Sequence, residues 1–295
     1  MANNNKHTGP NVPALRFPEF SGEWIESKLA DIADFSKGAG ISKDQRSEEG
    51  NPCILYGELY TRYKSEVITN VFSKTSLPDS ELVKSKANDI IIPASGETAE
   101  DIATARCVPF DNILLGGDLN IIRLHEQDGR FFSYQLNGVR KYDIATVAQG
   151  VSVVHLHAGD LKGISVKYPS HIAEQEKISQ ILGLIDERIE TQSKIIEEHD
   201  TLLKSLADKM FLQNTYSNQL SELVDIVKGK QLNADTLSET GDYYVMNGGI
   251  TPSGYYSEYN VPAGAISISE GGNSCGYVQF NEKPFWSGGH CYSLQ

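Results

Sequence analysis

From Pro169 to about Asn214 the chain has no internal proline and a single glycine, Gly183. Apolar residues fall at Ile178, Leu182, Ile185, Ile189, Ile196, Leu203, Leu206 and Met210, and Gln192 and His199 complete an alternating spacing of four and three across more than four heptads. That spacing is the seam of a coiled coil and predicts one long helix. Ile181, Ile195 and Leu202 widen the stripe, which predicts packing on something larger than one slender partner. Pro169 ends the preceding strand, and Ser170 is the expected N-cap. Glu174 and Glu176 sit near the positive end of the helix dipole, where carboxylates are favoured. Forty-odd residues make a rod of roughly 60–65 Å. Gln192 and His199, at seam positions, are candidates for fixing register.

The two flanks differ from the helix and resemble each other. Both are rich in glycine, tyrosine, isoleucine and valine, with short apolar runs at Asp89–Pro93, Asn120–Leu124, Val151–Val154 and Ala265–Ile268. These read as strands. Leu29–Phe35 and Leu220–Ile226 read as short helices leading into glycine turns at Gly38 and Gly229. Three segments repeat in order: Lys28–Gly38 with Gln219–Gly229, Asp89–Gly96 with Gly264–Gly271, and Leu114–Leu124 with Phe285–Gln295. Ordered repeats of this kind predict a duplicated domain. The expected organisation is a disordered leader over 1–14, a first domain over 15–168, the helix over 169–214 and a second domain over 215–295. In the first copy about 45 residues separate the Gly-Gly strand from the helix. The second copy reaches residue 295 on that strand and is expected to be incomplete. The fold class is α+β, with two strand-rich mixed domains joined by a long coiled-coil helix.

Composition narrows the function classes. Apolar residues at 39% supply a core, and no apolar run approaches membrane-spanning length. The first ten residues lack the apolar centre of a signal peptide, so a cytoplasmic location is expected. Cys53, Cys107, Cys275 and Cys291 are spaced by 54, 168 and 16, which matches no zinc pattern. His155 and His157 share one face of an extended segment, but no third ligand is near in sequence, and no metal site is expected. The net charge of −13 divides as −4 over residues 1–168, −4 over 169–214 and −5 over 215–295. Such a chain does not bind nucleic acid through a basic surface alone. No P-loop, cofactor-binding glycine fingerprint or Asn/Asp-Pro-Pro-aromatic motif is present. The local group Pro78, Asp79, Glu81 and Lys84 lacks the acid–lysine arrangement of a nuclease.

Asn11–Ile32 holds Pro-x-Leu-Arg-Phe-Pro-x-Phe, a tryptophan and Lys-Leu-x-x-Ile. Pro169–Ile189 holds a Glu-Gln-x-Lys-Ile core at Glu174–Ile178, and Asn247–Tyr256, Ser267–Phe280 and Phe285–Gly289 follow in order. In these motifs the whole chain after residue 10 resembles the specificity subunits of type I restriction–modification systems. The resemblance implies a non-catalytic subunit whose two recognition domains each read half of a split target in double-stranded DNA. It implies helices that space the halves and dock two methyltransferase subunits. Those subunits bring S-adenosylmethionine and methylate adenine. Motor–nuclease subunits bring ATP and Mg, so no cofactor is expected on this chain. A gap of about 60 Å corresponds to under two turns of B-DNA at ~34–36 Å per turn.

Reading bases requires hydrogen-bonding side chains on loops that can enter a groove. The candidates in the first domain are Lys43, Gln45, Arg46, Tyr60, Arg62, Tyr63, Lys64, Ser95, Glu97 and Thr98. In the second they are Asn247, Thr251, Ser253, Tyr255, Asn273 and Ser274. Two other readings stay open. One is a coiled-coil interaction module with flanking ligand-binding domains, which the acidic balance favours. The other is an inactive or recombination cassette copy. A half-subunit forming a homodimer through its helix would supply the second long helix in trans.

Overall fold

The computed structural model describes residues 11–78, 80, 82–150, 153–212 and 218–295, together with the backbone but not the side chain of Leu212. Residues 1–10 of the expected leader, Asp79, Glu81, the first half of the expected Val151–Val154 strand and the 213–217 junction lie outside them. The chain divides into two compact units, 1–200 and 201–295.

The first unit runs β1 (Trp24–Lys28), α1 (Leu29–Ile32), β2 (Ala33–Lys37), β3 (Asn51–Ile54), α2 (Glu58–Thr61), β4 (Ser73–Thr75), β5 (Asp89–Pro93) and β6 (Ser95–Gly96). It continues with α3 (Ala99–Ile102), β7 (Arg106–Val108), β8 (Leu114–Leu115), β9 (Leu119–Leu124), α4 (Gly129–Asn137), α5 (Lys141–Val147), β10 (Val154–His155), α6 (Ala158–Lys162) and β11 (Ser165–Pro169). A four-stranded sheet has the order β2-β9-β5-β7, and a three-stranded one the order β4-β3-β8. The run of three isoleucines in β5 is buried on both faces. Ile90 and Ile92 face Phe131, Phe132 and Leu136 of α4, and Ile91 faces Ile54, Leu59 and Leu115. That double burial explains why β5 reads as a continuous rather than alternating apolar run.

The second unit runs β12 (Ile226–Lys228), β13 (Tyr243–Met246), β14 (Tyr255–Tyr256), β15 (Ala265–Ser269), β16 (Val278–Asn281), β17 (Trp286–Ser287) and β18 (Cys291–Leu294). Its sheets have the orders β12-β18-β15-β16 and β14-β13-β17. These are the orders of the first unit, strand for strand, including a parallel pair between β3 and β8 in one and between β13 and β17 in the other. The duplicated domain read from sequence is therefore real in topology.

Three details of the sequence reading are corrected. The repeats are offset by one residue: Phe35 pairs with Ile122 and Ile226 with Leu294, so Gly116-Gly117 matches Gly288-Gly289. By the same pairing Ile90 matches Ile266, not Ala265. Leu29–Phe35 is one helical turn followed by strand, and Leu220–Glu222 is a single 3-10 turn ahead of β12. Strand pairing to the Gly-Gly strand outweighs local helical propensity in both places. Asn11 is no part of a disordered leader, since it exchanges two 2.7 Å hydrogen bonds with Trp24.

Gly38 and Gly229 show why the repeat is glycine-marked. A Cβ on Gly38 would lie 2.0 Å from the Gly116 carbonyl oxygen, and one on Gly229 would lie 2.1 Å from that of Gly288. Backbone crosses backbone at both points, so no side chain fits. The two units differ in cover. Ala105 and Cys107 of the first sheet are fully buried beneath α4, whereas the matching Val278 and Phe280 are 58% and 61% exposed.

The long helix α7 spans Ile172–Leu212. Its first backbone bonds go to the His171 carbonyl, so His171 rather than Ser170 is the cap residue. Its first two turns are sunk into the first unit by polar groups. Glu174, fully buried, takes a two-point grip from Arg16 through Nε (2.8 Å) and Nη2 (2.7 Å). Arg16 also donates to the carbonyls of Ser21 and Gly22. Gln175 accepts the Asp128 N–H at 3.0 Å and donates to the Pro169 carbonyl at 2.9 Å. Ser179 donates to Asp128 at 2.7 Å. Lys177 pairs with Glu19 and lies 4.5 Å over the Phe17 ring. The two sequence motifs around Arg16 and Glu174 thus form one joint. About two turns further, Tyr134 donates to Asp186 at 2.6 Å. Burial, and then the charge of Asp186, push the nearby Glu66 carboxyl up.

Of the seam, Ile178 packs on the core and Leu182 is half-buried. Ile185, Ile189, Ile196, Leu203, Leu206 and Met210 are 49–64% exposed. Gln192 and His199 are exposed as well.

Three outcomes are expected. Gly38→Ala and Gly229→Ala each cost about 1–3 kcal/mol in urea unfolding, whereas Gly159→Ala, with nothing near its Cβ position, is neutral or stabilising. Glu174→Gln breaks a buried ion pair and costs about 3–5 kcal/mol by the same measurement. Glu66 holds its proton more tightly folded than unfolded, so its contribution to stability is lost as pH rises from about 4.3 through its folded value. Glu66→Gln should therefore raise the melting temperature at pH 7 and leave it unchanged at pH 4.

Candidate nucleic-acid interface

The candidate residues occupy three separate loop groups in the first unit. Lys43 and Gln45 form a single 3-10 turn, with Arg46 following it. The Gln45 side chain accepts the Ser42 N–H at 2.9 Å, and Arg46 Nε donates to the Lys43 carbonyl at 3.1 Å. All three side chains are exposed, but Gln45 is spent on its own turn.

The second group lies in the connection 55–72 between β3 and β4. Glu58 is 5% exposed and accepts the Leu55 N–H (3.1 Å), the Ser73 hydroxyl (2.5 Å) and Arg62 Nη1 (3.3 Å). The Arg62 guanidinium lies 4.8 Å over the Phe72 ring. Tyr63 is a correction. It is 6% exposed, belongs to the core with Ile54 and Leu59, and its phenol is pushed up to about 12 by burial. Such a side chain does not reach a base edge, and its aromatic character served packing rather than recognition. Lys64 is exposed and close enough to Glu190 of α7 for their charges to interact. A cleft of about 340 Å³ opens here, lined by Arg62, Lys64, Asn70 and Phe72 on one side and Asp186, Glu190 and Lys194 on the other.

In the third group, the Ser95 hydroxyl is 3.3 Å from His155 Nδ1, Glu97 is exposed, and Thr98 caps α3 by accepting the Asp101 N–H at 3.1 Å. Tyr60 links this group to the second. Its phenol is raised first by burial and also by the charges of Tyr56, Glu97 and Asp101.

In the second unit the connection between β13 and β14 shrinks to residues 247–254. Asn247 accepts the His290 N–H at 3.2 Å, and Thr251 and Ser253 are exposed. Tyr255 lies on β14 opposite Tyr244. Asn273 and Ser274 close the turn that Gly272 (φ +71°) opens. Sequence reading missed a polar cluster beside that turn. Glu270 accepts from Lys228 at 2.5 Å and from the Tyr292 hydroxyl at 3.1 Å, with His290 Nδ1 at 3.9 Å. It draws on three distant segments, so no local signal marks it. Glu58, Asn70 and Phe72 lie in one connection with Arg62, but which of their side chains turn toward it is set by packing rather than by spacing.

Among the described residues no group of three or more His, Cys, Asp or Glu side chains could hold a metal ion, and no helix is long and apolar enough to cross a membrane. Cys53 and Cys107 are buried thiols pushed up by burial to about 11 and about 12.

Comparison with known proteins converges on one family. The family model described as type I restriction modification DNA specificity domain matches residues 21–198 and again 216–295. A protein of Mycoplasma genitalium named as a type I specificity subunit is 27% identical over 192 residues, which is 60% of this chain and 50% of that protein. One of Mycoplasma pneumoniae with the same description is 24% identical over 230 residues, 67% of this chain and 60% of that protein. The chain thus spans about half to three-fifths of the length of these relatives. Among solved structures, the type I restriction–modification S subunit of M. genitalium superposes with a TM-score of 0.66 at 21% identity, covering 97% of this chain and 75% of that one. A type I restriction–modification complex structure gives 0.52 at 14% identity, covering 96% and 77%. With two matches over the two units whose topology repeats, the chain belongs to the type I restriction–modification DNA specificity family.

Proposed function

We propose that this chain is the DNA-reading part of a type I restriction–modification complex and carries no catalysis of its own. The observation that supports this best is the duplication. Two units share one strand order yet differ in the loops at matching positions, 55–72 against 247–254. A shared frame with divergent loops is what reading two different half-targets requires, because frames position and loops discriminate. The net charge of −13 leaves much of the phosphate grip to partner subunits.

The partners in this reading are double-stranded DNA, two methyltransferase subunits that bring S-adenosylmethionine, and motor–nuclease subunits that bring ATP and Mg. The complex would work in the cytoplasm. The exposed apolar stripe of α7 is the docking surface, either for methyltransferase subunits or for a second copy of this chain. A stripe of this length is wider than a single seam needs.

Co-expression with the methyltransferase of the same system should yield a stable complex that methylates adenine within a split motif. Ile189→Glu with Ile196→Glu should abolish assembly while leaving the melting temperature unchanged, since both side chains are exposed. A chain that captures neither methyltransferase nor DNA would favour the interaction-module reading instead.

A further inference from the structure

Arg62 combines two supports that Lys177 and Arg130 have only singly, a buried carboxylate and an aromatic ring. Its Nη1 is held by Glu58, whose carboxylate is 5% exposed and anchored to the Leu55 N–H and the Ser73 hydroxyl. Its guanidinium plane rests on Phe72, and Phe72 packs at 5.3 Å on Tyr63, a core residue. The guanidinium is therefore braced from two directions, by a buried carboxylate and by a half-exposed ring that leans on the core.

The bracing leaves one edge open. Nε and Nη2 of Arg62 have no partner among the described residues, although the side chain is 44% exposed. That edge is the one Arg16 uses to grip Glu174 and Arg123 uses to grip Asp89, in each case with two near-parallel bonds of 2.7–2.8 Å. Two parallel donors match two adjacent acceptors, and in the DNA major groove guanine O6 and N7 are that pair. A phosphate also accepts such a fork, so the two contacts are told apart by what substitution does to sequence preference. Bracing removes rotamer freedom before binding, so it is useful where direction decides the energy.

We propose that Glu58 and Phe72 are positioning residues that set Arg62 to read a guanine in the half-target addressed by the first unit. This rests on the DNA-recognition reading above. The connection 55–72 has no equivalent of this length in the second unit, where residues 247–254 join the matching strands. The guanine reader is accordingly a property of the first unit alone.

The test reads the methylated motif genome-wide after co-expressing the chain with its methyltransferase subunits. Wild type should give a split motif. Arg62→Lys should relax one guanine position in one half by roughly 5- to 150-fold, the range of a lost two-point base contact, with the other half unchanged. Phe72→Leu and Glu58→Gln should relax the same position by a smaller factor. If Glu58→Gln instead costs the whole half-target through misfolding, the half-exposed Phe72 carries the test. An unchanged motif in Arg62→Lys would overturn the proposal and make Arg62 a strut toward α7. So would an Arg62→Gln variant that binds DNA more weakly at all sequences alike, with a salt slope reduced by about one, the mark of a phosphate contact. Relaxation at a base other than guanine, or at different positions for Arg62→Lys and Phe72→Leu, would overturn it too. A wild-type complex that assembles but methylates no defined motif would overturn the DNA-recognition reading itself, and this proposal with it.

Discussion

The buried carboxylate of Glu174 is the contact through which the first unit acquires its long helix. A carboxylate with no exposure is tolerable only when fully paired. Arg16, reaching from 158 residues earlier in the chain, supplies both bonds. Around it Gln175 and Ser179 satisfy the start of α4 through Asp128, and Lys177 lies on Phe17. The Glu-Gln-x-Lys-Ile sequence is thus a docking pattern in which each residue has its own partner. Polar joints of this kind fix direction and register more tightly than an apolar patch would, because a displaced donor leaves a buried acceptor bare.

Beyond that joint the helix changes character. Its core-facing residues stop near Leu182, and from Ile185 onward its apolar positions are exposed. A helix that buries its first turns and bares the rest is anchored at one end and available along its length. The proposed partners meet that surface. The connection 55–72 faces the same helix across a cleft, which places the braced Arg62 and α7 within one unit.

The duplication explains how one frame serves two readers. The Gly38–Gly116 and Gly229–Gly288 crossings hold the two sheets of each unit together, and their clearance of about one atom excludes any side chain there. Connections elsewhere are free to vary. The first unit spends one on a helical turn with a buried glutamate, and the second gathers Lys228, Glu270 and Tyr292 at its sheet end instead. Strand pairing conserves the frame, and loops carry the difference.

Much of this was legible in sequence. Periodicity located the long helix, and ordered glycine-rich repeats revealed the duplicated sheet, because both signals are local and backbone geometry enforces them. The repeat register was missed by one residue, since only cross-strand pairing distinguishes Ile90 from its neighbour as the partner of Ile122. The candidate loops could be named in sequence, but not which of their side chains are exposed, paired or buried. Arg62 and Tyr63 are adjacent in sequence, yet one is braced at the surface and the other is sealed in the core. Which of the two faces outward depends on Glu58, Phe72 and Ser73, and their meeting is a product of strand pairing and packing. Sequence alone determined the elements and their repetition, because those follow from local spacing. The tertiary structure decided which polar groups are buried, paired or left with a free edge, because that depends on which distant residue arrives beside them.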